Sequence, residues 1–390
     1  MSTFLAVSAV LAWSYLIFAR GGFWRAADRD DEPGAIADLG AWPSVAAVIP
    51  ARDESDVIGT NLATLLRQDY PGPLRVIVVD DDSSDETARV AREAGAGTGA
   101  PVDVLRAPAL APGWTGKLAA IAHGIRHAET AAEPPDYVLL TDADIAHAPD
   151  TLRMLVARAR SDRLVLHSLM AKLCVERAGE RAFIPAFVFF FAMLYPFAWV
   201  NRRDRAIAAA AGGCMLVERV ALARAGGIAA IRGELIDDCA LARLLKPHGA
   251  IRVTLTERAR STRVYRSLGE IRRMIARTAF AQLRYSPWLL GGTVVAMAVV
   301  FVAPPFVTPF AHDPLARGLA LLAWVAMTLA FVPMLRFYRV SPAAALALPA
   351  IAAIYVAWTL DSALRHWRGR GGEWKGRMQP RVVLSRSGRP

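Results

Sequence analysis

The sequence predicts an α/β domain built on a mostly parallel sheet, flanked by apolar helices long enough to cross a bilayer. Three observations carry this. Short apolar runs alternate with helically spaced segments between residues 44 and 285, several of those runs end in aspartates, and long apolar stretches stand towards both ends of the chain. Hydrophobic residues make up 54% of the 390, and the mean hydropathy of +0.30 is high for a wholly soluble chain. The 46 Lys+Arg against 35 Asp+Glu leave a net charge of +11. Basic side chains near a leaflet are drawn to anionic lipid, so this excess fits a protein held against a membrane. Nucleic acid could attract the same charge, but no aromatic-and-basic strip or nucleic-acid motif accompanies it, so nucleic acid is not an expected partner.

Residues 3–19 (TFLAVSAVLAWSYLIFA) carry no charge and end at Arg20. No small-residue cleavage site follows, so residues 1–20 read as a retained anchor rather than a signal peptide. Arg20, Arg25 and Arg29 then place the next domain in the cytoplasm by the positive-inside rule. Apolar stretches at 288–310, 317–335 and 342–360 predict a C-terminal membrane region, 288–360, before a basic tail, 361–390. The tail's arginines also favour the cytoplasm, whereas three full spans would put it outside. Either one stretch is re-entrant, with Pro304-Pro305 marking the first as the candidate, or the charge rule fails here. A fifth stretch, 182–200, is long enough to span, but spanning there would divide acidic residues that one cleft needs. Its Pro185, Tyr195, Pro196 and Trp199 suit a segment lying in the membrane interface; a buried core helix is the alternative.

The elements between the anchors follow in order. VAAVIP (45–50) is a short strand, and 55–67 has helical spacing; LRVIVVD (74–80) is a second strand, with a helix from Ser84. Further strands are predicted at 102–106, 137–141 and 214–218. Strands alternating with helices give a parallel-rich sheet covered on both faces, and such sheets bind ligands beyond the carboxyl ends of their strands. Asp80, Asp81 and Asp82 end the second strand, and Asp142 and Asp144 end YVLLTDAD. One acid after a strand is ordinary turn or cap chemistry; two clusters at two strand ends point to a shared cleft. Close carboxylates repel and call for a cation, and hard oxygen donors select Mg2+ or Mn2+. Such an ion would neutralise charge on a leaving phosphate, while a separate carboxylate deprotonates an incoming hydroxyl. IDD at 236–238 supplies two more acids at a helix start, where capping alone would also favour them. Cys174, Cys214 and Cys239 form neither a zinc set nor a disulfide framework and suit a reducing compartment. His123 and His127 lack a third ligand and read as a solvated helix face.

Taken in order, VIPARDE (48–54), VVDDDSSDET (78–87), GWTGK (113–117), TDAD (141–144), AGGCMLV (211–217) and IDD (236–238) resemble family-2 glycosyltransferases with the GT-A fold. IPAFVFFFAMLYPF, AAAAGGCMLV, GGIAAIRGELIDDCALA, ARTAFAQLRYSP and WKGR carry a closer resemblance to bacterial hopanoid-associated glycosyltransferases. Ceramide glucosyltransferases are similar at greater distance. The resemblance implies a GT-A catalytic domain at 44–285 with Pro50, Arg52 and Glu54 lining a nucleotide pocket and Asp81 bonding the base. It places Lys117 near the donor, Asp142 near ribose and metal, and Asp144 on the metal. Gly212 and Gly213 would admit the donor sugar or acceptor closely, and Asp238 would be the base with Asp237 beside it. The Q-x-x-R-W motif of many members is matched only by Gln282-Leu283-Arg284-Tyr285, leaving Arg284 as its candidate contact to diphosphate or acceptor. The resemblance further implies a UDP-sugar donor, a divalent cation, a lipid hydroxyl acceptor, association with hopanoid-biosynthesis enzymes, and a multi-pass place in a bacterial inner membrane. Two rival classes are a non-catalytic nucleotide-sugar-binding partner, against which the complete acidic clusters speak, and a transporter, for which the apolar stretches lack intramembrane charge.

Overall fold

The computed structural model of the chain describes residues 1–30, 40–98 and 102–369, with the backbone of 373–374 and 377–378. Most of the predicted basic tail lies outside these residues. The chain divides into two compact units, one formed by 35–168, 210–250 and 370–390, the other by 1–34, 169–209 and 251–369.

The first unit carries the sheet that the apolar runs predict. Its strands are β1 (Val45–Ala51), β2 (Leu74–Asp80), β3 (Val102–Arg106), β4 (Tyr137–Thr141), the short β5 (Ile145–His147), the start of β6 (Leu164–Lys172), and β7 (Cys214–Glu218). The order runs β3-β2-β1-β4-β7-β6. β1 pairs parallel with β2 from Val45↔Leu74 and with β4 from Val45↔Tyr137. β7 enters antiparallel to β4, with Thr141 opposite Cys214. Every residue of β1 and of β4 is buried, which is why these strands read as unbroken apolar runs rather than as alternating ones.

Helix Gly116–Glu129 lies directly on this sheet. Thr115 caps it by accepting a hydrogen bond from the Leu118 N–H at 3.3 Å. At Gly124 the helix comes so close that an added Cβ would lie 2.5 Å from Val48 Cγ1 and 3.0 Å from Val79 Cγ2. The helix expected from Ser84 begins at Thr87 instead. The residues before it are used in a loop, where Asp85 accepts the Thr87 N–H at 3.0 Å.

The second unit is mostly helical. Among the described residues, five helical segments of the chain are long and apolar enough to cross a membrane: Ser2–Ala19, Ala178–Val200, Pro287–Phe310, Pro314–Phe337 and Pro342–Trp367. The segment left open between interface and core, 182–200, falls largely in helix Ala178–Leu194. Phe189 packs on Phe331, and Phe190 on Phe301 and Tyr355. More than half of this segment is buried, a larger share than in the other four. The chain stays helical through Pro304-Pro305, with a π turn at Ala298–Val302 just before them. Pro304 has no N–H to offer the Val300 carbonyl four residues back; Trp13 Nε1 donates to that carbonyl at 2.9 Å. β8 (Ala250–Ser261) falls almost wholly in this unit. There Glu257 accepts from the buried Lys172 ammonium, which also donates to the Phe337 carbonyl at 2.7 Å.

Because the valines under Gly124 are β-branched and stiff, Gly124→Ala must displace backbone or side chains. Stability is expected to fall by about 1–3 kcal/mol, read as a lower Tm of the full chain in detergent, while Glu129→Ala at an exposed position of the same helix serves as the control.

Candidate active site

The ends of β1 and β2 build one half of the site. Arg52 follows β1, and its Nη1 donates to the Asp81 carbonyl and, at 3.1 Å, to the Asp82 carbonyl. The same nitrogen stands 4.0 Å from Asp81 Oδ2. The Asp81 N–H donates in turn to the Ala51 carbonyl at 2.8 Å, and the Asp81 residue is only 3% exposed. Asp53 and Asp82 both take left-handed backbone, φ 50° and 59°, which Asp tolerates better than most residues. These bends let the two loops clasp each other. The Asp53 N–H donates to Ser83 Oγ at 3.0 Å, and the Ser84 N–H to Asp53 Oδ1 at 2.7 Å. The Glu54 N–H donates to Thr87 Oγ1 at 2.8 Å, and the Ser55 N–H to Asp85 Oδ2 at 3.1 Å. Partial burial raises the Asp85 carboxyl, but its bonds to Thr87 and Ser55 outweigh this and hold it down at about 2. Pro50 sits within β1 opposite Val79.

The second half gathers where β4 meets β7. The register that sets Thr141 opposite Cys214 lets the Asp142 N–H donate to the Gly213 carbonyl at 3.2 Å and Thr141 Oγ1 to the same oxygen at 2.9 Å. Lys117, in the first turn of its helix, reaches both acidic segments. Its Nζ is 2.9 Å from Asp142 Oδ1 and 3.2 Å from Asp237 Oδ2. Asp238 is held by backbone instead. Its Oδ2 accepts the Gly212 N–H at 2.9 Å and its Oδ1 the Cys239 N–H at 2.7 Å. A Cβ on Gly212 would lie 3.4 Å from Asp238 Oδ2 and 3.5 Å from Lys117 Nζ, so a longer side chain there would fill the space between carboxylate and ammonium.

The electrostatics follow from crowding. Burial pushes the Lys117 ammonium down, but the carboxylates of Asp142, Asp237 and Asp238 more than reverse this, and its pKa is raised. Burial raises Asp142, Lys117 opposes that, and the charges of Asp144 and Asp237 add to the rise. Burial and the neighbouring Asp237 raise Asp238 to about 6, against the pull of the Cys239 N–H, Lys117 and the Gly212 N–H. Asp142 and the half-buried Asp144 offer hard oxygens that repel each other across one strand end, a donor set that suits Mg2+ or Mn2+. Among the described residues no group of three His, Cys, Asp or Glu converges as a metal site.

Sequence reasoning passed over three supports. Asn61 Nδ2 donates to the Ala143 carbonyl at 3.1 Å and so pins the Asp-Ala-Asp turn. A buried Asn on a helix face otherwise formed by Ile58, Leu62 and Leu65 was the available signal. His147 bonds Thr141 Oγ1 at 3.1 Å, and burial lowers its pKa to about 4, leaving it neutral. The Arg232 carbonyl accepts the Thr115 N–H at 2.9 Å and steadies the loop before Lys117. Of the expected residues, Arg52, Glu54 and Asp81 belong to the clasped loops, with Pro50 in the strand that leads into them; Lys117, Asp142, Asp144, Gly212, Gly213, Asp237 and Asp238 belong to the acidic cluster. Arg284 belongs to the other unit, just after helix Leu268–Gln282, with left-handed backbone at φ 52°. There Gln282 Nε2 donates to the Tyr195 hydroxyl.

Comparison with known proteins sharpens this picture. The sequence profile of Glycosyltransferase like family 2 matches residues 43–284. A 4,4'-diaponeurosporenoate glycosyltransferase of Staphylococcus aureus strain RF122 is 38% identical over 102 residues, 26% of this chain and 24% of the relative. Its counterpart in strain USA300 is 39% identical over 98 residues, 25% and 23% of the two chains. The match thus spans about a quarter of the length of these relatives. A mannosyltransferase of Pyrobaculum calidifontis, solved with GDP-Man and Mn2+, superposes with a TM-score of 0.52 at 20% identity, covering 95% of this chain and all of that one. That likeness establishes a GT-A-like fold.

The clasp makes Asp53 testable by itself. Asp53→Ala removes the acceptor for Ser84 and leaves an alanine at a left-handed φ, so a loss of about 1–3 kcal/mol is expected. Asp53→Asn keeps an acceptor and tolerates that backbone, and its Tm is expected to stay near that of the parent chain.

Proposed function

This chain belongs to Glycosyltransferase like family 2; from that premise we propose that it transfers a sugar from a nucleotide donor to a lipid hydroxyl, with inversion at the anomeric carbon. The observation that carries the proposal is Asp238, a carboxylate aimed by two backbone N–H groups, raised to about 6, and set beside the Lys117–Asp142 ion pair. A base must lie near the working pH and within reach of the proton it takes. Asp238 takes the hydroxyl proton as the new C–O bond forms and the bond to the diphosphate breaks. Asp237 keeps Asp238 basic by charge repulsion, and Lys117 keeps the pair from being wholly protonated. Arg52 and Asp81 hold the nucleotide within the clasped loops, with uridine the favoured base. A divalent cation held by Asp142 and Asp144 would offset the charge building on the departing diphosphate.

The lipid acceptor is supported by the five helices able to cross a membrane, and a hopanoid-type hydroxyl at the cytoplasmic face of a bacterial inner membrane is the finer form of the proposal. One observation favours a second reading: the staphylococcal relatives are named for a carboxylate, diaponeurosporenoate. An ionised carboxylate needs no base and would enter a cleft already crowded with negative charge, so the buried base argues for a hydroxyl here.

Asp238→Asn separates the two readings. Transfer to a hydroxyl is expected to fall by about 100-fold or more with the donor Kd nearly unchanged; undiminished turnover would favour the carboxylate acceptor or another base. The pH profile gives a second check. Because the Asp238 pKa is raised, the proton stays on until about 6, so kcat/KM is expected to climb with pH through that region rather than near the ordinary carboxylate value of about 4. Lipid profiles of a deletion strain, complemented with the parent or an Asp144→Ala copy, supply a third. One glycosylated lipid is expected to be missing from the deletion strain, to return with the parent copy, and to stay missing with the substituted one.

A further inference from the structure

We infer that Lys117 is an internal counter-cation that holds a divalent ion off Asp142 until the donor's diphosphate arrives, so that metal and nucleotide enter together. This presupposes Asp142 and Asp144 as the metal pair.

The geometry supplies the steps. Small divalent ions such as Mg2+ need about six oxygen ligands, yet among the described residues no third acidic or imidazole group joins a metal set. One of the two carboxylates, Asp142, already has the Lys117 ammonium 2.9 Å from its Oδ1. That ammonium is not an incidental surface charge. Its side chain is 19% exposed, and its backbone sits in a helix turn fixed by the Thr115 cap and by the Thr115-to-Arg232 backbone bond. An ion on Asp142 would therefore meet a positive charge at close range, with repulsion doubled by its own valence. The lysine stem is flexible and its head a compact point charge. A diphosphate brings both oxygen ligands for the ion and negative charge for the ammonium. Lys117 can then exchange Asp142 for phosphate while keeping Asp237, 3.2 Å away. The exchange frees Asp142 only when the donor is present, which makes the two binding events cooperative. By linkage, whatever the nucleotide adds to metal affinity the metal adds to nucleotide affinity.

The test counts bound Mn2+ through loss of the free ion's paramagnetic resonance signal. It uses the full chain in detergent at about pH 8, where ordinary carboxylates are ionised, with Mn2+ alone and then with UDP or GDP. The parent chain is expected to bind Mn2+ weakly alone and more tightly with nucleotide. In Lys117→Met the nucleotide-free affinity is expected to rise about tenfold or more, and the gain from nucleotide to shrink. Unchanged or weaker nucleotide-free binding in Lys117→Met overturns the inference; if Asp144→Asn still removes the nucleotide-dependent binding, the metal pair itself stands. If Asp144→Asn binds as the parent does, the metal pair fails and the inference falls with it. Thermal melts accompany each variant, and Lys117→Gln, which keeps a donor without the charge, replaces Lys117→Met if the latter does not fold; the same rise is expected.

Discussion

The acidic cluster sets the terms for everything around it. The carboxylates of Asp142, Asp237 and Asp238 crowd the Lys117 ammonium, and Asp144 adds its charge beside Asp142. Near a protein surface, two unit charges about 4 Å apart interact by about 4 kcal/mol at an effective dielectric of 20. Folding must therefore compensate the cluster at every contact. The β4–β7 register brings the segments together, Lys117 bridges two of them, and backbone N–H groups receive the carboxylate of Asp238. Compensation is incomplete, because Asp142 and Asp238 remain raised despite their partners. Unrelieved charge of this kind lowers stability, and perturbed groups of this kind are common at functional sites.

The scaffold was legible because its physics is local. Strands buried on both faces must be uniformly apolar, so β1 and β4 stand out as runs, and the acids at their ends fall where a parallel sheet binds ligands. Pairings across long stretches of chain were not legible. Nothing in GWTGK says that its lysine faces Asp142 rather than solvent, and nothing in DDDSSDET says that its serines receive Asp53. The serine contacts depend on loop shapes set by the left-handed Asp53 and Asp82. Asn61 lay between these cases, since a polar residue on an apolar helix face is visible while its partner is not.

The helical unit shows a different limit. A side chain facing lipid and one facing a protein core are chosen by the same transfer free energy, so hydropathy cannot separate them. Segment 178–200 is as apolar as the helices around it, yet more of it is buried. What distinguishes it is aromatic packing: Phe183, Phe189 and Phe190 each meet rings from other helices of the same unit. Pro304-Pro305 illustrates the same point for backbone. A proline pair suggests a break, but a π turn before it and the Trp13 indole on the Val300 carbonyl keep the segment helical. In an apolar medium a freed carbonyl needs a partner, and that partner lies almost three hundred residues away in sequence.

The two halves of the site differ in how they are prepared. The clasped loops are held by neutral and charge-assisted hydrogen bonds that require no ligand, among them Asp53 with Ser84, Glu54 with Thr87 and Ser55 with Asp85. Loops already ordered lose little entropy on binding, which suits them to the planar, uncharged part of the nucleotide in the proposed function. The acidic half is held by ion pairs whose strength depends on what other charges are present. A diphosphate changes those charges more than any other portion of the donor does. Under the proposed function, rigidity thus sits where the base is read, and replaceable charge pairs sit where the phosphates are received and released.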